Sequence, residues 1–272
     1  MNRTTTVLAW LATALSAIAS AAGLFTQTYR DVPAMVDQAR GTDLATLLVA
    51  VPLLVGALWR SRRPSPRAGM VVAGGLGYLV YTYAIYAFQV IVNALTPVHI
   101  AIVGLAAWAL AIGMPDLLRG AAAVAARRLP RRTTAGFLML IVTLFAGLWL
   151  SQIGQAIATG SLPAAVAELH VPTSAVYTLD LAFVLPVFVV AAVLLVRGSV
   201  LAAGVALGSL VFSVLMALSI LGLFAMQAAR GTLSDPSLPI GFAAIAVVAA
   251  LLAGLALSPW RGREPAAVPA AA

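Results

Sequence analysis

Tyr78, Thr82, Tyr86, Gln89 and Asn93 recur at offsets of 0, 4, 8, 11 and 15 along one apolar stretch. At about 100° per residue they fall within roughly 80° of arc on a helix. A stripe of phenols, a hydroxyl and amides then runs down a single face. An unpaired amide facing hydrocarbon costs on the order of several kcal/mol, so this face must meet protein or water. Two roles fit. The stripe is either hydrogen-bonding glue between helices or the wall of a ligand cavity. On the second reading it opens toward His99, which follows the tight 93–97 turn and is expected near the outer surface. The ligand-binding candidates are therefore Tyr78, Thr82, Tyr86, Gln89, Asn93 and His99.

Asp43 and Asp180 each open an Asp-Leu-Ala triplet at the head of an apolar run. Each is expected to cap a helix N-terminus, where a carboxylate meets free amides and the positive helix end. The alternative is a paired ion or proton site, since acids at a membrane are functional suspects. Ser209, Ser213 and Gln227 share a face of a later run, with Met216 between them. Gln152 and Gln155 end another run. Pro52 and Pro186 sit inside the two Asp-headed runs, where each frees a carbonyl and can kink its helix. Asp116 and Arg119, one turn apart, are expected to pair locally. His99, His170 and Glu168 form a zinc or haem site only if the fold gathers them, because their spacing matches no metal motif. No catalytic residue is assigned. Walker, Rossmann, HExxH, GxSxG and aspartyl-phosphate motifs are all missing from the sequence.

The elements that must carry these groups follow from composition. Hydrophobic residues make up 62% of the 272-residue chain and charged residues 9%, against about a quarter charged in soluble domains. Eight apolar runs of spanning length are expected at about 7–25, 43–59, 70–92, 98–118, 135–153, 178–196, 199–226 and 238–258. The expected fold is an all-α polytopic membrane helical bundle. With the N-terminus in the cytoplasm, 13 of the 16 arginines lie inside, and only Arg30, Arg40 and Arg230 lie outside. That topology explains the net charge of +8, so nucleic acid is not a partner. The arginine-only, alanine-rich composition points to a bacterial plasma (inner) membrane with both termini cytoplasmic. The chain has no cysteine, which excludes disulfides, thiolate metal sites and cysteine nucleophiles. It has no lysine either, which excludes Schiff-base chemistry.

The echo of Asp43-Leu44-Ala45 in Asp180-Leu181-Ala182 suggests a duplicated unit, with the next arginines at Arg60 and Arg197. Val32-Pro33-Ala34 and Leu162-Pro163-Ala164 extend it and predict a short surface helix in each external loop. Four spans per half gives parallel repeats about an axis along the membrane normal. The organisation read from the sequence is a first four-span repeat at 1–118, a basic cytoplasmic linker at 119–134, a second repeat at 135–260 and a disordered tail at 261–272. The linker's five arginines suit a positive-inside loop or a basic helix on lipid headgroups. The first run has a rival reading as a cleaved signal peptide ending near Ala19-Ser20-Ala21. Its length and its place in the duplication favour a retained span.

Tyr81-Thr82-Tyr83-Ala84-Ile85-Tyr86-Ala87-Phe88 followed by Asn93 resembles the YxYxxYAFxxxxN motif of a family of uncharacterised prokaryotic multi-span membrane proteins. Asp180-Leu181 with Pro186 is similar to that family's later segment. The resemblance covers about half the chain and implies the fold but no activity. Tyrosine is usual in the family at the position of His99.

These readings converge on a non-enzymatic membrane protein. It would bind or transport a small molecule through an outward-facing polar pocket walled by the third span. The alternative is an accessory or scaffold subunit with a filled interior and a membrane-protein partner. A haem- or metal-dependent membrane enzyme ranks third. No cofactor is called for, and the lipid bilayer is the one obligatory partner.

Overall fold

The computed structural model describes residues 1–61, 65–233 and 235–258, and all their side chains except those of Pro66 and residues 117–128. All regular structure among the described residues is helical. In chain order the helices are α1 (Arg3–Phe25), α2 (Pro33–Arg60), α3 (Pro66–Gln89), α4 (Thr96–Arg128), α5 (Arg131–Thr159), a single-turn α6 (Ala164–Glu168), α7 (Ala175–Val196), α8 (Val200–Ala229) and α9 (Ser237–Leu257). All but α6 contain a stretch long and apolar enough to cross a bilayer. The protein is an all-α polytopic membrane bundle, with eight spans among the described residues.

Local chemistry sets the helix ends. The Asn2 carboxamide accepts the Thr5 N–H at 2.8 Å and caps α1. Proline occupies the first turn of α2 and of α3, where its missing N–H costs nothing. Gly160, at φ 67°, ends α5 in the left-handed conformation that glycine adopts without strain.

Two helices contain a widened π turn, Thr46–Ala50 in α2 and Asp180–Val184 in α7. Each turn is closed by a bond from the residue before a proline: Val51 N–H to Thr46 O, and Leu185 N–H to Asp180 O. A proline ring clashes with the carbonyl four residues back, and the wide turn relieves that clash without ending the helix. Pro52 follows Thr46 by six positions, and Pro186 follows Asp180 by six. Gly74 follows Thr46 by 28 positions, and Gly208 follows Asp180 by 28.

Gly74 and Gly208 meet where α3 crosses α8. A Cβ on Gly74 would lie 2.6 Å from Gly208 O and 2.7 Å from the Val211 Cβ. A second close crossing joins α2 to α8 at Gly41 and Gly222, where a Cβ on Gly41 would lie 2.5 Å from the Leu223 Cα. Without side chains, backbones approach closely enough for dispersion to hold helices together in lipid.

The bundle has two cores. One gathers Leu54, Leu58, Leu76, Leu79 and Ile102 from α2, α3 and α4, and borrows Val211 and Leu215 from α8. The other gathers Leu138, Phe188, Leu195, Leu207 and Leu252 from α5, α7, α8 and α9, and borrows Met70 and Ala73 from α3. α3 and α8 therefore form the seam. In the hydrophobic stretch of α3, 89% of residues are buried, so this helix is central. Large apolar side chains such as Ile18, Phe88, Trp108 and Leu251 remain exposed on the outside, as a lipid-facing surface requires.

The second span begins at Pro33 rather than 43. The expected surface helix of the first loop is the first turns of α2. In the second loop a separate helix, α6, does form. Asp37, Arg40 and Asp43 look unfit for a span in isolation, yet each lies inside α2 with partners from other segments: Arg230, Thr26 O, and Tyr29 with Tyr86. This also overturns the capping role of both aspartates. Asp43 stands ten residues after Pro33, and Asp180 lies inside the continuous run of α7. The fourth span and most of the expected linker form one helix to Arg128, broken at Leu129–Pro130. The expected tail at 261–272 and the side chain of Arg119, on which its pairing with Asp116 depends, lie outside the described residues.

Candidate ligand pocket

Both buried carboxylates are held by neutral donors. Asp180 Oδ1 accepts the Tyr81 hydroxyl at 2.9 Å, and Oδ2 accepts the Trp149 indole N–H at 2.7 Å. Asp43 Oδ2 accepts the Tyr29 hydroxyl at 2.6 Å, and Oδ1 accepts the Tyr86 hydroxyl at 3.3 Å. Among the described residues neither makes an ion pair within 4 Å. Tyr29 belongs to the loop between α1 and α2. Burial, and next the charge of Asp43, push its phenol above the ordinary value, so it stays protonated and donating. Asp37 contrasts with both. Its Oδ1 pairs with Arg230 Nη1 at 2.9 Å and ties the start of α2 to the end of α8.

Asp180 faces a cavity of about 300 Å³ at the seam. Its walls come from the C-terminal half of α3, the middle and C-terminal parts of α5 and α8, the N-terminal part of α2, and the N-terminal and middle parts of α7 and α9. In an up-and-down bundle these segments share one end, the end with few arginines. Most of the lining is aromatic or aliphatic. Tyr81 meets Phe212 edge-on at 5.6 Å, Phe212 meets Phe188 at 6.2 Å, and Phe145 stands 6.0 Å from Trp149 and 6.1 Å from Phe242. Besides Asp180, the polar lining is Gln38, Thr42, Thr82, Ser213 and Ser219, with Tyr81 and Tyr86. Thr82 Oγ1 is buried without a hydrogen-bond partner. The Tyr78 hydroxyl lies close to it, within the range of a weak hydrogen bond, but is bonded more closely by Thr46 and Ser219, each at 2.6 Å.

The stripe read from the sequence divides along its length. Thr82 and Tyr86 line the cavity. Tyr78, one turn deeper, is fully buried as a junction between α2 and α8. Gln89, one turn nearer the helix end, reaches Thr173 O at 3.3 Å. Asn93 is outside the helix, which ends at Gln89. Its carboxamide accepts the Leu95 N–H and donates to Ile91 O, shaping the turn into α4. A helical phase extended past the helix end has no meaning there. His99 stands in the first turn of α4, beside the 93–97 turn, but its side chain is 1% exposed and packs against Tyr83 and Tyr86 with ring centroids 5.5 and 5.0 Å away. Neither of its nitrogens has a hydrogen-bond partner among the described residues. Asp43 stands one side chain behind the cavity, beyond Tyr86. Asp43 and Asp180 thus have separate partners and do not form a pair. Among the described residues no three of His, Cys, Asp and Glu gather as metal ligands.

Tyr81, Trp149 and Phe212 are the functional candidates missing from the sequence reading. Tyr81 lies about 60° outside the edge of the chosen stripe, so a narrow phase window excluded it. Trp149 lies near the end of an otherwise apolar run, where an aromatic ring reads as an interface anchor. Comparison with protein-family models, curated proteins and solved structures gives no match.

Proposed function

We propose that this protein binds a small molecule in the seam cavity and that its role is transporter-like. The single observation that carries the reading is the cavity itself. A packed interior of about 300 Å³ of open space, largely apolar with a few convergent polar groups, has the ordinary form of a ligand site. The cavity lies at the arginine-poor end of the bundle. In a bacterial plasma membrane that end faces outward, and both termini are cytoplasmic. The two four-span halves are tandem repeats. Three marks support this at one common offset of 134 residues: Thr46 and Asp180 opening the π turns, Pro52 and Pro186, and Gly74 and Gly208. In this register Asp180 corresponds to Thr46, not to Asp43. The seam between repeats is where such proteins place their substrates.

The test uses Trp149 as a reporter. Trp10, Trp59, Trp108 and Trp260 are replaced by Phe, and the protein in lipid nanodiscs is titrated with a panel of small cations, anions and neutral molecules. Binding gives a saturable change in Trp149 emission from at least one class. Ala217→Phe, which fills the cavity, abolishes the change. No saturable response from any class, or a response that survives Ala217→Phe, refutes the proposal.

A further inference from the structure

We infer that the seam cavity selects an organic cation, a protonated amine or quaternary ammonium with an apolar body, whose charged head sits against Asp180. This rests on the reading of the cavity as a ligand site and adds the chemical class. Among the described residues Asp180 is the one acid that lines the cavity, and no Arg, Lys or His lines it too. Its two contacts, the Tyr81 hydroxyl and the Trp149 indole N–H, are neutral donors, so they orient the carboxylate without cancelling its charge. A carboxylate has about four lone-pair sites, and these two bonds leave the remainder for a ligand. A buried charge without a counterion is costly, and a cation brought by the ligand offsets that cost. The aromatic lining of the cavity favours the same sign. Tyr81, Phe145, Trp149 and Phe212 surround a cavity in which a cation gains from aromatic quadrupoles, most strongly from tryptophan. An anion would meet Asp180 and the negative ring faces together. Thr82 Oγ1, 3% exposed and without a close hydrogen bond because the neighbouring Tyr78 hydroxyl is taken by Thr46 and Ser219, stands at the cavity wall to accept an N–H or hydroxyl of the ligand.

The test compares benzyltrimethylammonium with neopentylbenzene, its uncharged carbon isostere, by calorimetry on the full chain in nanodiscs. Wild-type protein binds the cation at least tenfold more tightly than the isostere. Asp180→Asn, which keeps a carbonyl acceptor, removes that preference. Equal binding of the two probes, or tighter binding of the isostere, overturns the assignment. The wild-type ratio stands as a test even where Asp180→Asn fails to fold. Failure of both probes, with a saturable response from an anion or neutral compound in the Trp149 panel, also overturns the cation class but leaves the ligand site intact. No response from any compound overturns both.

Discussion

Gly41→Ala is the substitution whose effect the geometry fixes most firmly. In a free helix it is favourable by about 1 kcal/mol, because alanine costs less backbone entropy than glycine. Here the new Cβ would lie 2.5 Å from the Leu223 Cα and closer still to backbone atoms of Gly222 and Leu223. Carbon atoms pack at about 3.5–4.0 Å, so α2 and α8 must part by about 1 Å or more. The obstacle is backbone, which cannot rotate aside as a side chain does. Overpacking of this kind costs about 1–3 kcal/mol. Moving α2 also strains the Tyr86 hydroxyl bond to Ala39 O at 2.7 Å and the Asp37–Arg230 pair, each contributing about 1 kcal/mol. A net loss of about 2–3 kcal/mol follows. Gly104→Ala is the control, since nothing lies within 4 Å of a Cβ there, and it is neutral or slightly stabilising. The assay is reversible unfolding by sodium dodecyl sulfate in mixed micelles, followed by circular dichroism. If Gly41→Ala matched Gly104→Ala, the close crossing of α2 and α8 would be refuted.

Other substitutions probe the polar contacts. Trp149→Phe removes the indole donor to Asp180 and costs about 1.5–3 kcal/mol; a double-mutant cycle with Asp180→Asn should show coupling, and strict additivity would deny the bond. His99→Phe replaces a buried ring whose nitrogens are both unpaired, so stability is unchanged or rises by about 1 kcal/mol, read as the same unfolding midpoint. Arg230→Ala leaves Asp37 without its partner, but the arginine side chain is 44% exposed, so the loss is only about 1 kcal/mol and shrinks with added salt. A salt-independent loss above about 3 kcal/mol would contradict that account.

The spans were legible because a bilayer demands long apolar runs, and α7 and α9 begin within a few residues of where hydropathy puts them. α2 was not, because the partners of Asp37 and Asp43 come from distant segments. Arg230 lies 193 residues from Asp37, and no local pattern announces it. The Asp-Leu-Ala echo marks an offset that differs by three residues from the one marked by the π turns. Hydrogen bonding at the two π turns is a backbone property with no residue signature of its own, so only the prolines hinted at them. The direction of the α3 stripe led to Thr82 and Tyr86 in the cavity wall. Its depth along the helix was illegible, because what separates Tyr78 from Thr82 is the presence of Thr46 and Ser219 across the gap.

Because the chain lacks cysteine, a single introduced thiol reports on the cavity directly. Ser213→Cys places one in the cavity wall, Ala94→Cys on an exposed turn, and Ser16→Cys in the dry core. Each is treated in intact cells with 2-(trimethylammonium)ethyl methanethiosulfonate, a membrane-impermeant cation. The account predicts modification at positions 94 and 213 but not at 16, with benzyltrimethylammonium slowing the reaction at 213 alone. Modification at 94 with none at 213 would mean that no water-filled route joins the outer face to the seam, and the central claim would fall.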